Sequence, residues 1–500
     1  MFLPSRVLLL GIVLFFLLGT ARVYTKRPFA DEGWFAASAV NILQNHRTGI
    51  PLADPLGNGG LAGQPLPGID QHFYIWMPTQ EALMAGWYWL FGFSIFAMRA
   101  NALLWGLVAL LAWWRVARFL TGNDICAALA TLLIGTDYVF IDAASDGRVD
   151  MMCMALWAAA LAVYLELRAS RLGTAILLSQ SLVVLSCLTH PIGAVGFLCL
   201  VVLALKLDLK RLRPSHLGLA ALPYLAAVLA VAAYVRSDFG AFWDQFSVSI
   251  GKRVGSSGTF LGSVAVEGRR YIGLYFPPYA RHGVGALRLV VPLVFVSAIL
   301  FVLTSAALRR ATMLLILLTA VAAIGLCVID AGKMPYYLVD VTPLYCIVFA
   351  TSLASCFRGR PTSRWMALVV CAVFLVLQLS WIAGAVIRDP FHKSFLPMTG
   401  FLQEQLTPDS TVTASPELCF VLGFDPKRLR DDALLGYASA RQANFIVISQ
   451  NDYGTAFDSY RKNRPQLAAY IDWTLGQRYE RIYQSDFYEI YRRRDEIGPP

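Results

Sequence analysis

The 500-residue sequence predicts a polytopic α-helical membrane protein of about eleven spans, closed by a small C-terminal α/β domain. Three observations predict it. The chain is 57% hydrophobic and only 15% charged, with a mean hydropathy of +0.57, whereas soluble domains carry about a quarter charged residues. Long apolar runs recur, among them Leu103–Trp114, Ala127–Ile141, Ala175–Leu188 and Leu368–Val386, and a helix needs about 20 mostly apolar residues to cross the hydrocarbon. Clusters of Lys and Arg punctuate alternate runs, as they do in cytoplasmic loops.

The first span covers residues 6–24. Arg6 followed by the apolar Val7–Gly19 has the shape of a signal peptide. No small-x-small site follows and Tyr24 extends the run, so an uncleaved helix is expected. Further spans are expected at 97–117, 124–141, 151–168, 173–189, 191–207, 216–235, 286–307, 311–329, 336–356 and 365–387. The dividing charges are Arg115 with Arg118, Arg168 with Arg171, the group Lys206, Lys210, Arg211 and Arg213, Arg309 with Arg310, and Arg358, Arg360 and Arg364. If each of these lies in the cytoplasm, eleven helices alternate with the N-terminus inside. The stretches 25–96, 142–150, 236–285 and 388–500 then lie outside. Parity requires that the apolar stretch Phe73–Phe93 does not cross. Pro78 and Glu81 interrupt it and it is rich in Trp and Tyr, a composition suited to a helix lying in the interface.

Two domains follow from this reading, a membrane domain at 1–387 and an extracytoplasmic one at 388–500. In the second, Phe401–Leu406 has a helical pattern, and Thr411–Ala414 and Asn444–Ser449 read as strands. Tyr479–Tyr483 and Phe487–Tyr491 read as a hairpin. This tail holds 14 Lys+Arg and 15 Asp+Glu, so the net charge of +10 belongs to the membrane part. Such an excess fits cytoplasmic loops and anionic lipid; no basic soluble face is available for nucleic acid. Of the nine cysteines, Cys126, Cys153, Cys187, Cys199, Cys327, Cys346, Cys356 and Cys371 fall in or beside apolar runs and Cys419 in the tail. With no CxxC pair and no His at ligand spacing, small apolar packing is their expected role.

Ionisable residues at the outer ends of spans are costly and tend to be functional. Asp31 and Glu32 open the first outer loop, Asp146, Arg148 and Asp150 fill the second, and His190 caps the fifth span. Asp330, Lys333, Tyr336, Tyr337 and Asp340 gather at the last short outer loop. Each has a plain structural reading. Asp31 and Glu32 serve equally as caps of a helix over Gly33–Gln44. SDGRVD reads also as a solvated turn with an internal ion pair, and His190-Pro191 as a satisfied helix end. Asp340 is harder to dismiss, because it lies in an apolar span. The functional reading joins them. Glycosyl transfer from a phosphate-linked donor needs a carboxylate to take the acceptor's proton and positive charge, or a metal, on the departing phosphate. An inverting displacement places that base opposite the phosphate, by analogy with glycoside hydrolysis.

The run ADEGWFAASAVNILQNHR resembles the first outer loop of the PMT-like GT-C glycosyltransferases, which include bacterial lipid A aminoarabinose transferases and protein O-mannosyltransferases. YIWMPTQEALMAGWYWLFGFSIFAMRANALLWGLVALL resembles that family's proline-led interfacial helix and the Arg opening its second membrane helix. SDGRVDMMCMALWAAALAVYLELR resembles its Arg-x-Asp segment, and LTHPIGA and MPYYLVDVTPLY resemble later segments of bacterial relatives. The likeness covers roughly residues 1–390. It implies Asp31 as catalytic base with Glu32 as its partner, and Asp150 as the second acidic residue. It implies donor-phosphate or substrate contacts at Arg99, Arg148, His190, Lys333 and Tyr337. One departure stands out. Aminoarabinose transferases carry Glu-Lys just before the interfacial proline, the Glu tied to a metal, where this chain has Trp76 and Met77. The nearest substitutes are Asp70 and His72, on which the expectation of a divalent metal ion rests; the specific lipid A activity does not carry over.

The resemblance therefore implies a glycosyltransferase of the bacterial inner membrane, using a polyprenyl-phosphate sugar and a lipid, glycan or protein acceptor. The loop 236–285, with Phe239, Phe242, Trp243, Lys252, Arg253 and Glu267–Tyr271, reads equally as an acceptor or lipid-phosphate cradle or as a surface loop with an interfacial helix. Two other classes stay open, a polytopic transporter and a non-catalytic envelope-assembly protein. Against the first, the charges sit at helix ends rather than at the midplane of repeated halves.

Overall fold

The computed structural model of the chain describes residues 2–57, 65–75, 78–254, 260–277 and 283–494. Helix α1 (Phe2–Thr25) turns sharply into α2 (Ala30–Asn45). α3 (Thr79–Phe91) has 13 residues, about 20 Å at about 1.5 Å per residue, too short to cross a bilayer. Its Leu83, Trp89, Leu90 and Phe91 are exposed while Met84, Ala85 and Tyr88 are buried, so within the expected stretch Phe73–Phe93 lies a short helix with an exposed apolar side, a form suited to an interface. Ser94 caps α4 (Ile95–Thr121), its hydroxyl accepting from the Ala97 amide at 3.0 Å.

The span expected at 124–141 is two helices, α5 (Asp124–Gly135) and α6 (Tyr138–Ala144), bent by 63°. Asp137 causes the break. Its carboxylate accepts the amides of Val139 and Phe140, starting a new helix, and takes a 2.6 Å hydrogen bond from Gln378 Nε2. Then come α7 (Asp150–Leu167), α8 (Leu172–Thr189), α9 (Ala194–Asp208) and α10 (Pro214–Val235). Three shorter helices occupy the long loop, α11 (Phe239–Val254), α12 (Phe260–Val266) and α13 (Gly268–Tyr275). The bundle finishes with α14 (Val290–Thr304), α15 (Ala306–Ile329), α16 (Thr342–Phe357) and α17 (Pro361–Arg388).

Among the described residues nine helices are long and apolar enough to cross a membrane, and the bent pair makes a tenth. The expected eleventh, 336–356, opens in a 3-10 turn (Pro335–Asp340), so only the 16 residues of α16 are α-helical. Trp113, Trp157, Leu161, Val195 and Ile347 lie in the core of this bundle. α10 is nearly bare, with Leu217, Leu225, Val228 and Leu229 all more than half exposed, a surface fit for lipid.

The tail begins with α18 (Leu396–Gln405) and forms a five-stranded sheet of order β2-β1-β3-β5-β4. β1 (Val412–Ala414) pairs in parallel with β2 (Leu429–Arg430) and β3 (Phe445–Ser449); β5 (Tyr488–Arg493) pairs antiparallel with β3 and β4 (Tyr479–Gln484). The helices α19 (Cys419–Leu422), α20 (Thr455–Asn463) and α21 (Pro465–Trp473) complete it. α20 and α21 cover one face through Phe457, Tyr460 and Ile471, with Tyr453 of the preceding turn. The other face shares a single core with the first interhelical loop, in which Trp34, Phe35, Ile50 and Phe73 pack with Phe391, Leu418, Phe445 and Ile490. The two segments are also stitched by backbone, Asp431 N to Leu52 O at 2.8 Å and Asp54 N to Asp431 O at 3.0 Å.

Candidate active site

Everything converges on the start of α2. Its N-cap is Phe29, and neither Asp31 nor Glu32 caps the helix; the capping reading is replaced by ion pairs across the fold. Glu32 is fully buried and takes a bidentate pair of 2.8 Å hydrogen bonds from Arg99 Nε and Nη2. Its Oε1 also accepts the Gly147 amide at 2.8 Å. Arg99 Nη1 reaches the carbonyls of Val23 (3.0 Å) and Lys26 (2.6 Å). One buried pair therefore fixes the ends of α1 and α2, the start of α4 and the 145–149 turn. Arg99 is fully enclosed, so it positions the site; the substrate contact expected of it is not open here, and Glu32 is equally saturated.

Asp31 lies one residue away and differs. Its side chain is 33% exposed, and Arg148 Nη1 donates to its Oδ2. Arg148 Nε also binds Asp150 Oδ2 at 2.6 Å, and its guanidinium lies 4.0 Å from the Tyr336 ring centroid. The SDGRVD turn does hold an internal ion pair, but a buried one rather than a solvated one. Gly147 lets this turn close, because a Cβ there would strike Met98. Desolvation pushes the Asp31 carboxyl up, the Arg148 charge pulls it back, and Asp150 and Glu32 add to the upward push. Burial likewise raises Asp146 to about 6, with Lys26 opposing.

Asp31 lines a cavity of about 730 Å³, a size typical of small-molecule sites. Arg22, Lys26 and Arg27 from the end of α1 line it, with Arg388 and Lys393 from the end of α17. The tail supplies Asp452, Asp486 and Phe487. Arg22 Nη2 holds Asp142 at 2.9 Å, while its buried Nε and Nη1 meet no acceptor among the described residues. Lys26 Nζ bridges Asp142 and Asp146, both at 2.9 Å. Arg388 and Lys393 are exposed and donate to backbone carbonyls, those of Gly384 and Ile387. Sequence reasoning passed over these five cations, although basic residues at helix ends opposite the Lys/Arg clusters were the available signal.

The remaining expected residues are placed less directly. His190 Nδ1 accepts the Ile192 amide at 3.3 Å, so the helix-end reading holds, and Nε2 lies 3.1 Å from the Tyr337 hydroxyl. Lys333 sits at φ 54°, a backbone region uncommon for any residue but glycine, and its buried amine reaches Glu267 at 3.0 Å and the Cys327 carbonyl. Lys333 is thereby occupied by protein groups. Asp340 accepts the Trp157 indole N–H at 2.9 Å. Arg270 is buried on Glu267, Asp330 and the Met334 carbonyl, so the 267–271 run locks the 330–334 loop and is no open cradle. Phe239 and Trp243 are exposed; the side chains of Lys252 and Arg253, like Trp76 and Met77, lie outside the described residues.

Asp70 and His72 face different partners. Asp70 accepts from Gln71 Nε2 and lines a separate cleft with Arg47 and Asp54, while His72 faces Asp238 at 3.8 Å and stacks on Tyr74. Among the described residues no three His, Cys, Asp or Glu side chains gather closely enough to hold an ion.

Helix order, juxtamembrane α2 and α3, and the appended sheet define a membrane protein of the GT-C fold. ArnT of Cupriavidus metallidurans, an aminoarabinose transferase, is similar over its whole length. In the structure bound to undecaprenyl phosphate the TM-score is 0.60 at 14% identity, covering 98% of this chain and 99% of that one. In the apo state it is 0.55 at 16%, covering 98% of each. The Archaeoglobus fulgidus oligosaccharyltransferase AglB, in complex with an inhibitory peptide and a dolichol-phosphate, gives 0.55 at 12%, covering 93% of this chain and 72% of AglB. No family model and no curated protein matches the chain.

Proposed function

We propose that this protein is a glycosyltransferase that moves a sugar from a polyprenyl-phosphate carrier to a lipid, glycan or protein acceptor. The observation that carries the reading is a half-open carboxylate, Asp31, held by a buried guanidinium and facing a cavity lined by Arg22, Lys26, Arg27, Arg388 and Lys393. The likeness in fold to ArnT bound to undecaprenyl phosphate and to AglB with dolichol-phosphate supports the donor class.

Asp31 takes the proton of the acceptor hydroxyl as its oxygen attacks the anomeric carbon. The bond from that carbon to the phosphate oxygen breaks, and the electron pair leaves with the polyprenyl phosphate. Attack from the face opposite the phosphate inverts the anomeric centre. The Arg148 charge favours the ionised form of Asp31 against desolvation, the larger effect. The cavity cations offset the charge growing on the phosphate, and Arg22 offers the N–H groups of Nε and Nη1, left over from its pair with Asp142. The tail-side end of the bundle faces away from the cytoplasm on this reading, since Arg115, Arg168, Arg211, Arg309 and Arg358 sit at the other end. The host is a bacterial plasma membrane.

Glycolipids and glycans of cells with the wild-type protein, without it, and with Asp31→Asn test this by mass spectrometry. A glycosylated species present only with the wild type is expected. Its survival in the Asp31→Asn strain at equal protein level refutes the assigned base, and no difference between wild type and deletion refutes the transferase.

A further inference from the structure

The tail reaches the cavity through two turns, 449–452 at the end of β3 and 486–487 between β4 and β5, and several contacts tie the first of them to the helix bearing Asp31. Gln450 N binds the Phe487 carbonyl at 2.9 Å. The Tyr453 hydroxyl donates to Asp431 Oδ1 at 2.8 Å, and the other oxygen of the same carboxylate accepts the indole N–H of Trp34, in α2, at 2.9 Å. Gly33 packs directly on the 416–417 backbone. Ser415 hydrogen-bonds Glu417, which is fully buried behind it. Asp452, between these anchors, lines the cavity that Asp31 lines.

A surface turn needs no such bracing, and a carboxylate facing another carboxylate carries a repulsion that a purely structural turn would shed. Burial pushes Asp452 above the usual carboxylate range; a hydrogen bond with the Ser415 side chain opposes it, the Asp31 charge adds to the push, and Arg27 opposes more weakly. Burial takes Glu417 to about 7. Asp31 thus brings one carboxylate to the cavity from the membrane helices, and the tail brings Asp486 on the β4–β5 turn and Asp452 on the braced 450–454 turn.

We infer that Asp452 is an acceptor-positioning residue, taking a hydrogen bond from the acceptor while Asp31 takes the proton of its reacting hydroxyl. This rests on the transferase reading and narrows its acceptor. The molecule must offer two neighbouring donors, the reacting O–H and a second O–H or N–H, as a sugar or polyol headgroup does. The C-terminal domain is then a working wall of the site.

The test uses full-length protein in membranes that hold the native acceptor, with a polyprenyl-phosphate sugar as titrated donor and undecaprenyl phosphate as binding probe. Asp452→Asn should lower kcat about ten- to a hundred-fold, the size of a lost hydrogen bond to a charged group. Donor KM and undecaprenyl phosphate affinity should stay within about twofold, and Asp452→Glu should recover part of kcat. A raised donor KM at constant kcat assigns Asp452 to the donor side and overturns the inference, as does unchanged kinetics. Loss of carrier binding in both variants makes Asp452 structural and overturns it too. Inactive wild-type membranes indict the transferase reading itself, a separate outcome.

Discussion

The buried Arg99–Glu32 pair is the most consequential contact outside the cavity, and Arg99→Ala is its sharpest perturbation. The change removes four hydrogen bonds, two to Glu32 and one each to the Val23 and Lys26 carbonyls. It leaves a carboxylate at 0% exposure with only the Gly147 amide as partner. Breaking one side of a buried ion pair costs about 3–5 kcal/mol, because the surviving charge stays desolvated. Replacing both members by apolar residues of similar volume costs far less. Arg99→Ala should therefore fall well below wild type in thermal stability, read as soluble, monodisperse protein after heating in detergent. Arg99→Met combined with Glu32→Leu should recover most of the loss. Activity should not return in the double variant, because the 145–149 turn then loses its Gly147 bond to Glu32 and is tied to α2, among the described residues, by the Arg148–Asp31 pair alone. An Arg99→Ala protein as heat-stable as wild type refutes the account of how this site is held, and so does a double variant no better than the single one.

A Cβ at Gly33 would come inside 3.0 Å of Pro416 backbone atoms. Gly33→Ala should lift the tail from α2, exposing the tail to limited proteolysis and lowering transfer. Removing the Arg148 charge, as in Arg148→Met, withdraws what lowers the Asp31 carboxyl. A base works only when deprotonated, so residual activity should rise with pH through a higher midpoint than in wild type; an unmoved acid limb contradicts the pairing. Trp157→Phe strips Asp340 of its indole donor inside the bundle. It should destabilise the protein by about 1–3 kcal/mol, the cost of an unpaired buried polar group, measured by the same heating assay.

Much of the fold was legible because the bilayer makes apolar length and charge placement nearly sufficient. The short helix α3 announced itself by Pro78 and its aromatic residues, β1 and β3 by their short β-branched and apolar runs, and the β4–β5 hairpin by alternation. What escaped depends on distant partners. The break at Asp137 rests on Gln378, 241 residues away. The cap-like Asp31 and Glu32 pair instead with Arg148 and Arg99, a choice that only packing makes. The union of the tail with the first interhelical loop runs through Trp34, Asp431 and Tyr453, which share no local pattern. The Asp31–Arg148–Asp150 group was found because each residue is a costly charge at a helix end. Lys26, Arg27, Arg388 and Lys393 carry the same signal in longer segments, where solvated basic residues are ordinary.

The most direct measurement is a structure of the full-length protein with undecaprenyl phosphate. The account places the phosphate in the cavity beside Asp31, within hydrogen-bond reach of at least two of Arg22, Lys26, Arg27, Arg388 and Lys393. A carrier phosphate seated elsewhere, out of reach of those side chains and of Asp31, contradicts it.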